Sequence, residues 1–264
     1  MSHEIPHVPV GKAPASARVM DQEFKLPSEC NVPGYWDTLA SNTEDWAPMI
    51  TAGPFWRNAN TQLESWKKEY RRLFNGILYK GPELPTFVGK SAGRIKEKVF
   101  QRIRQSEDAD REIKRIFDQT TPVPRLEDLV RVRIETQFLD GVPFLANKVL
   151  GLAKSFDSAA KIEPKGKLSG YFAQHVTFSL PLHFRYNSIN SSCEITCEVQ
   201  VATSLATLVW ENSHGLYESS RVNRESSEDW QWSPNDPRFL SRQLGHMIHL
   251  ADGLFCNLRD KGSR

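Results

Sequence analysis

CEITCEVQVATSLATLVWENSHGLY, residues 193–217, passes from an alternating polar and apolar run into a helical pattern with no Gly or Pro between the two. Successive side chains on a strand point to opposite sides. Glu194, Thr196, Glu198 and Gln200 would therefore share one face while Ile195, Cys197, Val199 and Val201 face a core. A strand pinned by its apolar side thus presents carboxylates on the other. A fold has no need of two acids on one short strand, which makes this face the first candidate for chemistry.

The segments upstream extend the same surface. YFAQHVTFSLPL (171–182) places Tyr171, Ala173, His175 and Thr177 on one face and Phe172, Val176, Phe178 and Leu180 on the other, Gln174 being the exception. A turn around Tyr186 to Asn190 predicts an antiparallel hairpin with the opening stretch. LEDLVRVRIETQF (126–138) reads as a third strand, with Val130, Val132 and Ile134 inward and Leu129, Arg131, Arg133 and Glu135 outward. Asp128 stands at its mouth. Asp140-Gly141 reads as a turn into a helix from about Pro143 to Phe156, and KIEPKGKLSG (161–170) as a Lys/Gly-rich loop. Beyond the opening stretch, a helix is expected from Ser204 to Ser219 with Leu205, Leu208, Val209 and Leu216 buried. A last helix is expected from about Pro237 to Leu258.

FVGKSAGRIKEKVFQRIR (87–104) spaces Lys90, Arg94 and Lys98 by four, one ridge of a helix beside an apolar ridge of Ile95, Val99 and Ile103. Six basic residues accompany a single acid, Glu97, between Lys90 and Arg104. A solvated lysine-rich face explains such a pattern, and so does a phosphate clamp at a helix start, where backbone N–H groups and the dipole favour anions. A preceding basic amphipathic helix is expected over about 58–78. Residues 1 to 56 are Pro-rich and read as an irregular arm laid over the domain, its aromatics (Tyr35, Trp36, Trp46, Phe55, Trp56) arguing against full disorder.

At 264 residues, 39% hydrophobic and 25% charged, the chain reads as a soluble globular protein of one domain with additions, or at most two. A net charge of +2 makes any basic site local. The four cysteines lack CxxC or zinc spacing, so free thiols in a reducing cytoplasm are expected. Neither a secretory signal nor an apolar run near 18 residues is read, so no export by that route and no membrane span are expected. Two separated carboxylates facing a basic cleft suit a divalent ion that bridges a polyphosphate, and an exposed Tyr beside them could stack a nucleobase. Nucleotide phosphoryl or nucleotidyl transfer is the chemistry these residue types imply.

Three segments also resemble the synthetase domain of RelA/SpoT-type enzymes, in that family's order. EDLVRVRI (127–134) is similar to its acidic strand motif, KLSGYFAQH (167–175) to its K-x-N/S-G-Y-x-x-x-H segment, and EVQVAT…WENSH…YE (198–218) to its E-x-Q-x-x-T…H motif. The resemblance implies an α+β fold, a mixed β-sheet flanked by helices, nucleotidyltransferase-like, with the synthetase domain over 57–222, the arm over 1–56 and a loop and C-terminal helix over 223–264. It implies transfer of the β,γ-pyrophosphoryl group of ATP to the 3′-hydroxyl of a purine nucleotide, with release of AMP. Asp128 and Glu198 would hold Mg²⁺ and carry the catalysis, Glu198 as second ligand or as base. Lys90, Arg94 and Lys98 would bind ATP phosphates, Arg133 the adenine; Tyr171, Lys167, His175 and Gln200 would form the acceptor site. For His214, helix packing is the simpler reading.

Three positions depart from the family pattern. Val88 stands for the first Arg of the entry helix, Arg94 for its Ser, and Ala202 for the basic residue after E-x-Q-x. Strict alternation also puts Asp128 and Arg133 on opposite faces, which a twist or bulge must undo. The departures resemble toxic small members of the family, which implies an adenine nucleotide or the tRNA 3′ end as alternative acceptors, the latter through Arg102, Arg104, Lys165 and Lys167 on RNA backbone. A silent nucleotide- or RNA-binding module is the third reading. No His-Asp dipeptide occurs, so the family's hydrolase centre is not expected. The arm is assigned an autoinhibitory or antitoxin-docking role, and the oligomeric state is left open.

Overall fold

The alternating runs form the strands of one sheet, and their register decides which side chains meet. The computed structural model describes residues 25–117, 123–166, 170–186, 189–212 and 231–262. The strands are β1 (Val88–Gly89), β2 (Val130–Thr136), β3 (Lys161–Lys165), β4 (Ala173–Tyr186) and β5 (Ile189–Thr203), ordered β1-β2-β5-β4-β3. β2 runs parallel to β5 and the other pairs are antiparallel, so the sheet is mixed. The helices are α1 (Tyr35–Thr51), α2 (Pro54–Phe74), α3 (Ala92–Gln105), α4 (Ala109–Ile116), α5 (Gly141–Ala153), α6 (204–212) and α7 (Pro237–Gly262). The class is α+β.

The sheet's apolar face carries Val130, Val132, Ile134, Val176, Phe178, Cys197, Val199 and Val201, all buried, and α5 packs on β4 and β5. The ring of Phe55 of α2 packs against that of Phe178, centroids 4.5 Å apart and tilted by 47°, so the helical layer joins the same core. All four cysteines are free thiols. The hairpin of β4 and β5 matches the expectation from alternation, because an apolar face buried on one side fixes register residue by residue.

Four expectations change. The arm over 1–56 is not irregular throughout: α1 lies within it, with Tyr35, Leu39, Trp46 and Ile50 buried. Trp46 Nε1 donates to His183 O at 2.8 Å, and Asn42 both donates to Arg185 O (3.0 Å) and accepts from Arg185 N (2.9 Å), which seats the helix on β4. Part of the Lys/Gly-rich segment is an edge strand, β3; Pro164 is tolerated there because an edge leaves N–H positions outside the ladder. Leu129 is buried rather than outward, since the chain bends there before the strand begins. In α6 the buried residue is Thr207, Leu208 is exposed, and Leu205 and Val209 are half-buried; Leu216 lies outside the described residues.

Candidate active site

Register assembles the polar face in rows. Glu198 lies between Arg131 of β2 and Thr177 of β4; one row on, Gln200 lies between Arg133 and His175. These rows are held by hydrogen bonds. Gln200 Nε2 donates to Glu198 Oε1 at 2.6 Å, and Arg133 Nε and Nη2 each lie 3.3 Å from Gln200 Oε1. His175 Nδ1 is 2.9 Å from Glu198 Oε2, and its Nε2 is 3.2 Å from the Tyr171 hydroxyl. The network itself selects the tautomer: Nδ1–H donates to the carboxylate and Nε2 accepts from the phenol. Burial would push the Glu198 carboxyl up, but the bonds from His175 and Gln200 and the nearby imidazole outweigh it and hold Glu198 below its ordinary value. Burial drives the Tyr171 hydroxyl the other way, to about 12, so it remains a donor.

Asp128 occupies the turn before β2, so strand alternation never applies to it and no bulge is needed to bring it to this side. Its charge acts on Glu198, raising that carboxyl against the other influences. Lys90 Nζ contacts Asp128 Oδ2 and Lys98 Nζ contacts Oδ1, both at 2.6 Å. Burial opposes ionisation of Asp128, yet the two ammonium groups hold it at about 2. For Lys90 burial wins instead, and its pKa falls below the ordinary value despite Asp128. The two shifts differ in sign because one carboxylate receives two cations while Lys90 also meets Lys98 and Arg131. Two nitrogens at hydrogen-bond distance from one carboxylate fix the ion pair as formed.

Lys90, Arg94 and Lys98 do not form one helical ridge. α3 begins at Ala92, and Lys90 precedes it, placed by the β1 ladder through its backbone N–H to Leu129 O at 2.9 Å. Lys98 arrives from the second turn of the helix, while Arg94 is exposed. Val88, on the functional rung beside Arg131, is 52% exposed. Lys167 and His214 lie outside the described residues. Sequence reasoning missed Trp210, whose ring is 4.6 Å from that of Tyr171, and Glu211, 3.7 Å from Arg133; both lie on α6 just past β5. Alternation put Thr177 on this face without a role; the register of the hairpin sets its buried hydroxyl, which has no hydrogen-bond partner, beside Glu198.

α7 braces the loop that carries Tyr171. Gly170 has φ +69, a left-handed conformation suited to glycine. Its carbonyl oxygen lies 2.0 Å from where a Cβ on Gly245 would stand, so two glycines let helix and loop backbones touch. Next to them the His249 ring stacks on Phe172 at 3.7 Å, and further along Thr203 Oγ1, at the end of β5, donates to Asp252. The C-terminal helix is thereby fixed to both the Tyr171 loop and the strand of Glu198.

Among the described residues no three His, Cys, Asp or Glu side chains form a metal cluster. Two ionised carboxylates with substrate phosphates and water are nonetheless a donor set that suits Mg²⁺, which takes few protein ligands. Asp128 and Glu198 would supply the two carboxylates of such a set, and Asp128 already pairs with two lysine ammonium groups.

No protein-family model matches the chain, and no curated protein matches it by sequence. Among solved structures it is similar to the small alarmone synthetase 1 from Bacillus subtilis, at 13% identity and TM-score 0.47 over 87% of this chain and 98% of that one. The same enzyme bound to its product pppGpp gives 15% and 0.49 over 82% and 95%. A GTP pyrophosphokinase family protein from Streptococcus pneumoniae gives 18% and 0.48 over 89% and 95%.

Proposed function

We propose that this chain is a pyrophosphokinase that transfers the β,γ-pyrophosphoryl group of ATP to the 3′-hydroxyl of a purine nucleotide and releases AMP. The observation that carries the reading is the meeting of two buried, ionised carboxylates with opposite surroundings: Asp128 under two lysines, Glu198 under a His–Tyr pair. A polyphosphate needs the cations, and a hydroxyl nucleophile needs the acceptor of a proton. The three sequence segments that resemble RelA/SpoT-type synthetases contain Asp128, Tyr171, His175 and Glu198.

In this reading Lys90 and Lys98 turn from Asp128 to the ATP phosphates. Asp128 would hold Mg²⁺, with Glu198 as second ligand or as the base, and the ion when bound would neutralise charge on the transferring group. Arg133, oriented by Gln200, presents its planar guanidinium to the adenine. Tyr171 and Trp210 form the aromatic wall for the acceptor base. The acceptor 3′-oxygen attacks the β-phosphorus, the bond from that phosphorus to the α,β-bridging oxygen breaks, and AMP leaves with the bridging oxygen. The hydroxyl proton passes to Glu198, whose carboxylate His175 holds in place.

The test is incubation with Mg²⁺ and ATP labelled in the terminal phosphate, offering GDP, GTP, AMP, ATP or tRNA in turn. Label in a nucleotide with matching AMP release is expected. Label only in tRNA assigns the tRNA reading, and no AMP with any acceptor leaves a binding module.

A further inference from the structure

One hydroxyl on the polar face of the sheet is left over. Thr177 is 4% exposed, and its Oγ1 is shut off from water without a hydrogen-bond partner. Its neighbours along β4, Val176 and Phe178, are core residues, so alternation turns Thr177 to the side of His175 and Glu198. The row that contains it runs Arg131, Glu198, Thr177, Lys161 across β2, β5, β4 and β3. Neither flanking side chain serves it: Glu198 takes its bonds from Gln200 and His175, and the Lys161 ammonium pairs with Glu163. A buried hydroxyl without a partner weakens a fold. Beside a reacting carboxylate, such a group is completed by a ligand.

We propose that Thr177 reads the 2′-hydroxyl of the acceptor ribose and so restricts transfer to ribonucleotides. The inference rests on the pyrophosphokinase reading, in which the neighbouring 3′-hydroxyl gives its proton to Glu198. Position favours the acceptor over ATP. Lys90 and Lys98, the cations for ATP, lie with Asp128 toward β1 and β2, whereas Thr177 stands on the far side of Glu198, on the strand of His175. Spacing favours a diol: each of its oxygens needs a partner within ~2.8 Å, and side chains opposed across an antiparallel pair stand ~5 Å apart at Cβ. Glu198 and Thr177 are such a pair, and bracket two adjacent hydroxyls. Chemistry favours a neutral group, because a threonine Oγ1 both donates and accepts while a phosphate is better met by a cation. The 2′-hydroxyl has the same two capacities and is the group that separates ribose from deoxyribose. Acceptor binding must part the side chains that shield Oγ1.

The test compares GDP, GTP and AMP, each against its 2′-deoxy form, as acceptors of label from ATP with Mg²⁺. Wild type should favour the ribonucleotide at least about tenfold in kcat/KM. Thr177→Val, which exchanges the hydroxyl for a methyl, should bring the two sugars within about twofold by removing the advantage of the ribonucleotide, with the KM for ATP unchanged. Thr177→Ser keeps the hydroxyl and should keep the preference. Thr177→Val should also melt no lower than wild type, because the folded protein loses no hydrogen bond. Equal use of both sugars by wild type, or a preference that survives Thr177→Val, overturns the inference and leaves the pyrophosphokinase reading standing. Wild type that releases no AMP with any of these acceptors overturns both.

Discussion

Asp128 binds two lysines with one carboxylate, and this sets how the molecule responds to acid. Its pKa falls from an ordinary 3.8 to about 2, so the folded state binds the proton less readily than the unfolded chain. The resulting stability is fully present above pH 3.8 and is lost as pH falls through about 2, with an upper size of about 2 kcal/mol. Asp128→Asn should therefore melt lower than wild type at neutral pH, and the gap should close toward pH 2; a gap independent of pH refutes the ion pair. His175 acts through Glu198. His175→Gln can still donate to the carboxylate but loses the paired ring nitrogen that receives Tyr171, so kcat should fall about a hundredfold with a shifted pH profile and little change in the KM for ATP. Glu198 was legible from sequence because alternation alone assigns its face. The grouping of Lys90 with Lys98 on Asp128 was not, since spacing by four mimics a helix ridge while Lys90 is placed by a cross-strand bond. That bond depends on a two-residue strand too short to leave a pattern.

Elements differ in how much of themselves they write into sequence. β4 and β5 were readable because each buries one face and exposes the other. β3 was not: KIEPK holds one large apolar residue and a proline, and its place follows from pairing with β4 at the sheet edge. α7 was readable as a helix, but its role was hidden, because a Gly–Gly approach between distant segments leaves no periodic trace. Gly245→Val tests that role. The new side chain must displace the Gly170 carbonyl from 2.0 Å, a backbone group that cannot rotate aside. Overpacking of this kind is worth about 1–3 kcal/mol, so the KM for the acceptor should rise about tenfold while the KM for ATP, bound at the far side of the sheet face, stays within about twofold. An equal rise in both would mean that α7 supports the fold in general and not the Tyr171 loop.

At the scale of the whole molecule, helices from both ends of the chain clasp the sheet. Length and composition allowed one domain with additions or at most two, and read α1 as part of an arm; it belongs to the core, since Pro and Asn in a helix that packs by its tryptophan and tyrosine obscure its periodicity. At the other end α7 is tied down by Arg259. Its guanidinium meets both oxygens of Asp140, at 3.1 and 2.6 Å, and the Tyr70 hydroxyl at 3.2 Å, and Tyr70 in turn donates to Asp140. One cluster thus joins α7, the start of α5 and the C-terminal end of α2. Burial raises Tyr70, reinforced by Asp140, and the bond to Asp140 raises Arg259, so the phenol stays protonated and the guanidinium charged across the working pH range. Arg259→Met keeps an apolar stem but removes the guanidinium that lies over Phe138 and strands the Asp140 charge. Breaking one side of a half-buried pair is worth about 1–2 kcal/mol, which for a chain of this size lowers Tm by roughly 2–8 °C. Activity at low temperature should be nearly unchanged, because the cluster touches neither Asp128 nor Glu198. The double variant Arg259→Met/Asp140→Asn should recover part of the loss by removing the stranded charge. If it melts as low as or lower than Arg259→Met alone, the cluster holds α7 by packing and not by charge.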